Sequence, residues 1–296
     1  MIYLKKIKIG EQKMKKSINA WTFPGSYTFD EVLEAAKKAG FDAVEFNLDK
    51  VGVDSKHAFT LETDEEQIKA VAKKARQLGI KLVSVSSSLH NGIWSQTDHE
   101  TVKYREKVLK KQLRIAQLLG ADAILLVPGG MKDGMLLSEA RANSVASLKG
   151  MIPIIKESGI TVGLENVWNG FFLSPYDMVS FLKELDSDAF ALYFDLGNMV
   201  AFSNSEYWCD IVAPYITKIH IKDYKRAGGI NSGGKFCQLL EGDLNFRETM
   251  RILKKNGFDG YMTAEVSKSD PNMSDGDYFA SISAAEDVIA GYYEEA

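Results

Sequence analysis

Eight short apolar runs of β type alternate with eight longer segments of helical period along this chain, and no other feature restricts its fold as tightly. The β-type runs are Ser17–Trp21, Ala43–Leu48, Ile80–Ser86, Ala123–Val127, Thr161–Glu165, Ala191–Asp195, Thr217–His220 and Gly260–Glu265. Helices are expected over 28–40, 64–78, about 98–119, 138–158, from Ser174-Pro175 onward, near 206–213, 246–256 and 277–293. Strict alternation makes the strands parallel and their crossovers right-handed. The number eight favours closure into a barrel over an open doubly wound sheet. The expected fold is therefore α/β, a single-domain (β/α)₈ barrel, a type that normally reaches 296 residues as one domain.

Local signals mark the same units. Thr28 and Glu31 have the spacing of a capping box, and Pro175 takes the favoured first position of its helix. Glycines at 40, 79, 120, 159 and 257 stop five helices, each just ahead of a strand. No linker divides the chain. The barrel is assigned to 17–296, and residues 1–16 read as an N-terminal extension or a lead-in to the first strand. Met14 opens MKKSINAW directly before that strand, so the leading thirteen residues also read as a mis-assigned start.

The lysine-rich opening lacks the apolar stretch and small-residue cleavage site of a signal peptide, and no run approaches the roughly 20 apolar residues of a membrane span. A net charge of −4 gives no general attraction to phosphate backbones, so nucleic acid is not an expected partner. Cys209 and Cys237 have no CxxC spacing and fit a reducing compartment. A cytoplasmic protein is expected.

Four of the runs finish on a metal-ligand side chain: Glu165, Asp195, His220 and Glu265. A buried parallel strand has little reason to end in a charge unless that charge meets a ligand. In a barrel the carboxyl ends of the strands converge, which brings the four to one ion. Three carboxylates and an imidazole suit Mn²⁺, Mg²⁺, Co²⁺ or Zn²⁺ rather than a thiolate metal. Unrelated charges paired with lysines or arginines are the bland alternative.

The segments GLEN at 163–166, FDLGN at 194–198, IHIKD at 219–223, EGDLNF at 241–246 and AEV at 264–266 resemble the sugar (phosphate) isomerase/epimerase family. This group of xylose-isomerase-like barrels includes ketose 3-epimerases and pentulose-5-phosphate 3-epimerases, and the likeness runs from Ser17 to about Ala290. The resemblance implies that Glu165, Asp195, His220 and Glu265 hold one divalent cation, Mn²⁺ foremost. It also implies that Glu165 and Glu265 exchange a proton with carbon 3 of a ketose from opposite faces. By the same likeness Arg226, six residues after His220, lies near the substrate, and Glu45 and His90 contact sugar hydroxyls. Trp21 and Trp168 offer faces that stack on a sugar, and Asn166 orients Glu165 or the substrate. Asn198 stands where many free-ketose epimerases have histidine, which favours the phosphorylated-pentulose branch. The glycine-rich run 228–235 then offers backbone amides and Lys235 to a phosphate.

Bland readings stand beside these. His90 reads equally as a hydrogen-bonded structural histidine, Glu45 as a carboxylate paired with a core lysine, and Arg226 as a surface arginine. The expected partner is a small-molecule sugar or sugar phosphate, and relatives of this kind often form homo-oligomers. Competing functions are a 1,2-aldose–ketose isomerase, a lyase acting on a 3-keto sugar or C-glycoside, and a non-catalytic sugar binder. A trinuclear-zinc endonuclease of the same superfamily needs several strand-end histidines. Only His220 of the four histidines is secure there, and that reading is rejected.

Overall fold

The computed structural model describes residues 14–132 and 134–296. Eight of its strands form a closed parallel barrel: β1 (Lys15–Asn19), β2 (Ala43–Asn47), β3 (Lys81–Ser86), β4 (Ala123–Leu126), β5 (Thr161–Glu165), β6 (Phe190–Asp195), β7 (Ile216–Ile221) and, after a hairpin, β10 (Tyr261–Ala264). The order around the barrel is β1-β10-β7-β6-β5-β4-β3-β2, closed by pairing of β1 with both β10 and β2. Eight helices cover it: α1 (Phe29–Ala39), α2 (Glu65–Leu78), α3 (His99–Leu119), α4 (Leu137–Ser158), α5 (Pro175–Leu185), α6 (Ser205–Val212), α7 (Phe246–Lys255) and α8 (Asp275–Glu294).

Covered on both faces, the strands have no need of polar alternation, and all four residues of β4 are buried. The helices bury one stripe each; α7, for example, buries Phe246, Met250 and Leu253 at helical spacing. Phe46, Phe181 and Phe194 are wholly enclosed. Each such side chain contributes about 1.5–3 kcal/mol. The capping box of Thr28 and Glu31 forms with both of its bonds, and Gly40 ends α1 at φ 89°, in the left-handed region that a Cβ disfavours.

The first strand is displaced from its expected position. It runs Lys15–Asn19, and Trp21 lies beyond it in a short 3₁₀ turn, Ala20–Thr22, that lifts the indole to the barrel mouth. Residues 1–13 of the expected extension lie outside the described residues.

The second difference is the hairpin β8 (Asp223–Arg226) and β9 (Gly234–Cys237), which pair antiparallel beside the barrel mouth. The run 228–235 is its tip and the start of its second strand. The Asp223 carboxylate accepts backbone N–H bonds from Tyr224 and Gly242 at 2.9 Å and from Leu244 at 3.2 Å. A Cβ at Gly242 would collide with that carboxylate, which explains why Asp223 and the EGD sequence belong together.

Candidate active site

Glu165 ends β5, Asp195 ends β6, His220 is the fifth residue of β7, and Glu265 follows β10 directly. One ligand atom from each lies within 4.8 Å of the others. Two ligands at 2.0–2.2 Å on opposite sides of one ion stand about 4.3 Å apart, so closure onto an ion needs less than about 1 Å of movement. His220 Nδ1 lies 3.3 Å from Glu165 Oε1 and 3.1 Å from Glu265 Oε2. Asp195 Oδ1 accepts N–H bonds from Gly197 and Asn198 at 2.8 Å. Its other oxygen, Oδ2, is buried and accepts no aligned hydrogen bond; Lys222 Nζ lies 3.0 Å away, off line. A buried carboxylate oxygen whose neighbour is an off-line ammonium, in an oxygen-rich cluster, is one that a divalent ion would satisfy. The residues present fit such an ion.

The opposite ring nitrogen fixes how His220 presents itself. Nε2 meets Glu45 Oε1 at 2.7 Å, so Nε2 carries the proton toward Glu45 and Nδ1 faces the cluster, the arrangement that prepares an imidazole to ligate. Glu45 itself is enclosed. It also accepts from Asn19 Nδ2 at 2.6 Å, from Ser84 Oγ at 2.5 Å and from Tyr193 O–H at 2.7 Å. Gly163 makes room for Tyr193, since a Cβ there would approach Tyr193 Cβ to 2.7 Å.

Charge follows this geometry. Burial opposes ionisation of Glu45, yet the His220 charge and hydrogen bonds hold its carboxyl below the usual range. Burial also opposes the His220 imidazolium, but Tyr193, Glu45 and the two cluster glutamates raise its pKa well above the ordinary value. Burial pushes Glu165 up to about 7. The same burial acts on Glu265, but the Lys222 charge and His220 bring it down to about 2. Burial likewise raises Asp195. These are the tendencies of the protein's own groups; a bound cation draws every carboxylate toward ionisation.

A cavity of about 530 Å³ opens on the cluster, with Glu165, His220 and Glu265 in its floor. Trp21 and Trp168 stand in its walls, with Ser87, Ser88, Asn91 and Asn169 as neutral hydrogen-bonding groups and Met131 as an apolar one. Trp21 Nε1 donates to Asp49 at 3.0 Å. Trp168 donates to the Asn198 carbonyl and stacks on Phe236, ring centroids 5.2 Å apart.

Other expected contacts sit elsewhere. Glu45 does not line this cavity; it lies beneath His220, and its partner is that histidine rather than a lysine. His90 is fully buried: its Nδ1 accepts from Trp94 Nε1 at 3.2 Å, its Nε2 donates to Gln112 Oε1 at 2.6 Å, and burial lowers its pKa to about 4. It is a neutral structural imidazole. The Arg226 guanidinium is spent on the Val200 and Ser203 carbonyls and Asn204 Oδ1, with its own N–H on Asp243. Asn166 bridges to β6, donating to the Asp195 carbonyl and accepting the Asp195 N–H, both at 2.9 Å, while Asn198 Nδ2 donates to the Asn166 carbonyl at 2.8 Å. Both asparagines hold Asp195 in place. Asn231 and Gly233 of the glycine-rich run line a separate groove of about 400 Å³, shared with Trp168.

Two residues escape a reading by strand ends alone, Tyr193 and Lys222. Period-2 alternation finds Tyr193, two residues before Asp195 on β6, whereas Lys222 stands two residues after His220 in the single-residue link between β7 and β8. Lys222 Nζ also approaches Glu265 Oε2 to 2.8 Å.

Comparison with known proteins agrees with this architecture. A family model described as xylose isomerase-like TIM barrel matches residues 33–286. L-ribulose-5-phosphate 3-epimerase UlaE of Salmonella typhi is 24% identical over 245 residues, covering 82% of this chain and 84% of that protein. Among solved structures, D-allulose 3-epimerase from Methylomonas sp. in complex with D-allulose superposes with TM-score 0.71 at 18% identity, over 95% of this chain and 98% of that one. The IOLI protein with a binding zinc atom superposes with TM-score 0.79 at 16% identity, over 95% and 99%. Among the described residues, no helix is long and apolar enough to cross a membrane.

Proposed function

This chain belongs to the xylose isomerase-like TIM barrel family, and from that membership we propose that it is an enzyme epimerising carbon 3 of a ketose or ketose phosphate. One divalent ion, Mn²⁺ foremost in so oxygen-rich a set, is held by Glu165, Asp195, His220 and Glu265. The observation that carries the reading is the order of these side chains. Strands β10, β7, β6 and β5 are consecutive neighbours, so Glu265, His220, Asp195 and Glu165 form an arc with a glutamate at each end. Two carboxylates flanking one substrate position are what inversion of a centre requires: one removes a proton and the other returns it from the far side.

A proton beside a ketone is too weakly acidic for a lone carboxylate. When bound, the ion supplies Lewis-acid stabilisation of the negative charge that develops on the neighbouring oxygens. The chain does the rest. Glu165 and Glu265 move the proton, Glu45 fixes the His220 ring, and Asn166 and Asn198 fix Asp195. Trp21 and Trp168 offer apolar walls to the sugar carbons, and Ser87, Ser88, Asn91 and Asn169 meet its hydroxyls. The names of the relatives, a pentulose-phosphate epimerase and a free-ketose epimerase, support the reaction class and leave open whether the substrate is phosphorylated. Free Cys209 and Cys237 suit the reducing cytoplasm.

The test is NMR in D₂O with a panel of ketopentoses, with and without 5-phosphates. Deuterium at carbon 3 together with the carbon-3 epimer supports the proposal. Label at carbon 1 or 2 points instead to an aldose–ketose isomerase, and no label anywhere points to a lyase or a binder.

A further inference from the structure

Lys222 is the cation that the reaction above leaves unused. It follows His220 by two residues, in the single-residue link between β7 and β8, and its ammonium turns into the same cluster. Its Nζ stands 2.8 Å from Glu265 Oε2 and 3.0 Å from Asp195 Oδ2, inside the carboxylate set that would hold the ion. The ammonium also lies over the Phe236 ring of the hairpin, 5.8 Å from its centroid. With Trp21, Cys237 and Val266 it opens onto a smaller chamber of about 180 Å³ that shares Glu265 with the main cavity. Its backbone packs close against Gly197, where a Cβ would come within 2.8 Å of the Lys222 carbonyl oxygen.

We propose that Lys222 is a positioning residue that balances charge at the ion site, holding Glu265 and Asp195 while weakening the site's grip on a divalent cation. This rests on the metal-binding reading above. Counting the ligands alone, three carboxylates carry three negative charges, which one divalent ion and one ammonium match; Glu45 beneath His220 adds one further negative charge whether or not the ammonium is there. Without the ammonium, the carboxylates exceed the ion by one charge. Like charges a few ångströms apart in a buried site repel strongly, so Lys222 disfavours the ion and its loss tightens binding. Its loss also leaves a net negative site just where the reacting ketose must develop negative charge, and turnover falls. A lysine kept for structure alone would change neither metal affinity nor its dependence on charge.

The experiment is a Co²⁺ absorption titration of the apoprotein for the parent, Lys222→Met and Lys222→Arg, with circular dichroism and melting on the same samples. The Met variant is expected to bind Co²⁺ at least tenfold more tightly than the parent while exchanging the carbon-3 proton at least a hundredfold more slowly. The Arg variant, which keeps the charge, should stay near the parent in affinity. Should the Met variant not fold, Lys222→Gln takes its place in the same comparison. Equal or weaker Co²⁺ binding on loss of the charge overturns the proposal, and so does an Arg variant that binds as tightly as the Met variant. A parent that binds no Co²⁺ at all instead refutes the metal reading beneath it.

Discussion

Two halves of the same barrel use their strand ends in opposite ways. On β5, β6, β7 and β10 the ends carry Glu165, Asp195, His220 and Glu265, and at least one oxygen, Asp195 Oδ2, is buried without an aligned hydrogen bond. β1, β2 and β3 end on Asn19, Asn47 and Ser86, with Glu45 and Ser84 one layer deeper in β2 and β3; all five are buried, and Glu45 takes four partners. Both halves bury a carboxylate, at the strand ends in one and mid-strand on β2 in the other. Between the carboxylates, what separates a ligand from a support is whether the oxygens are already taken up by hydrogen bonds, as those of Glu45 are and Asp195 Oδ2 is not; of the neutral supports, Asn47 Oδ1 also lacks a partner. A satisfied buried group stabilises and orients; an unsatisfied one costs about 1–3 kcal/mol until something binds it. Fold stability is then drawn from the apolar layers, and one arc is left poised for a cation.

The largest effect that sharpens this contrast is on chemistry. Glu165→Gln and Glu265→Gln keep an amide oxygen for the ion but lose the proton acceptor, and each should lower turnover by about 10²–10⁴. Metal content measured alongside should fall only in part. A variant that epimerises at near the parent rate would break the assignment of two bases.

Next comes the supporting half. Glu45→Gln replaces the charged acceptor of the His220 Nε2 proton with a neutral amide and leaves one acceptor oxygen where two served four partners, and it should weaken metal affinity by about 10–100-fold. Because Glu45 does not line the cavity, KM at saturating metal should stay near the parent value. A large rise in KM with unchanged metal affinity would restore Glu45 to the substrate and erase the distinction between the halves.

Arg226→Ala is smaller in scale. It strips donors from the Val200 and Ser203 carbonyls and should cost about 1–3 kcal/mol of stability in urea unfolding, with metal content unchanged. If stability holds and KM climbs, the guanidinium reaches the substrate after all.

The smallest effect is a pH dependence far from the site. Glu286 on α8 is buried, neither carboxylate oxygen accepts a well-aligned hydrogen bond, and burial raises its pKa well above 4.5 against the opposing pull of Lys16 and the Ser17 backbone N–H. A raised folded pKa means the native state favours the protonated acid. Its contribution is complete below the unfolded pKa and is lost as pH rises through the folded one. Glu286→Gln should therefore raise Tm at pH 8 by about 2–4 °C, roughly 1 kcal/mol. The gap should shrink toward pH 5. A gap that grows on acidification would reverse the sign.

Much of this is legible in the sequence, for definite reasons. Strands and helices alternate with different periods, and glycines stop the helices, so the barrel and its eight units can be read directly. The four ligands stand out because charge at the end of an apolar strand is conspicuous. Tyr193 is less conspicuous, yet it follows from alternation about Asp195; Lys222, just past the end of β7, does not. The roles of Glu45, His90 and Arg226 are not legible, because they depend on partners 22 to 175 residues away in sequence, such as His220 for Glu45 and Gln112 for His90. Likewise the 228–235 run looks like an open anion loop until β8 pairs with β9, and Asp223 ties the following EGD segment to the base of that hairpin.

The central claim is that one divalent ion sits on Glu165, Asp195, His220 and Glu265. Equilibrium dialysis of metal-stripped protein against Mn²⁺ measures it directly, comparing the parent with His220→Ala. The account predicts one ion per parent chain and essentially none for the variant under the same conditions. Equal metal content in the two, or none in the parent with Mn²⁺, Co²⁺ or Zn²⁺, would contradict it.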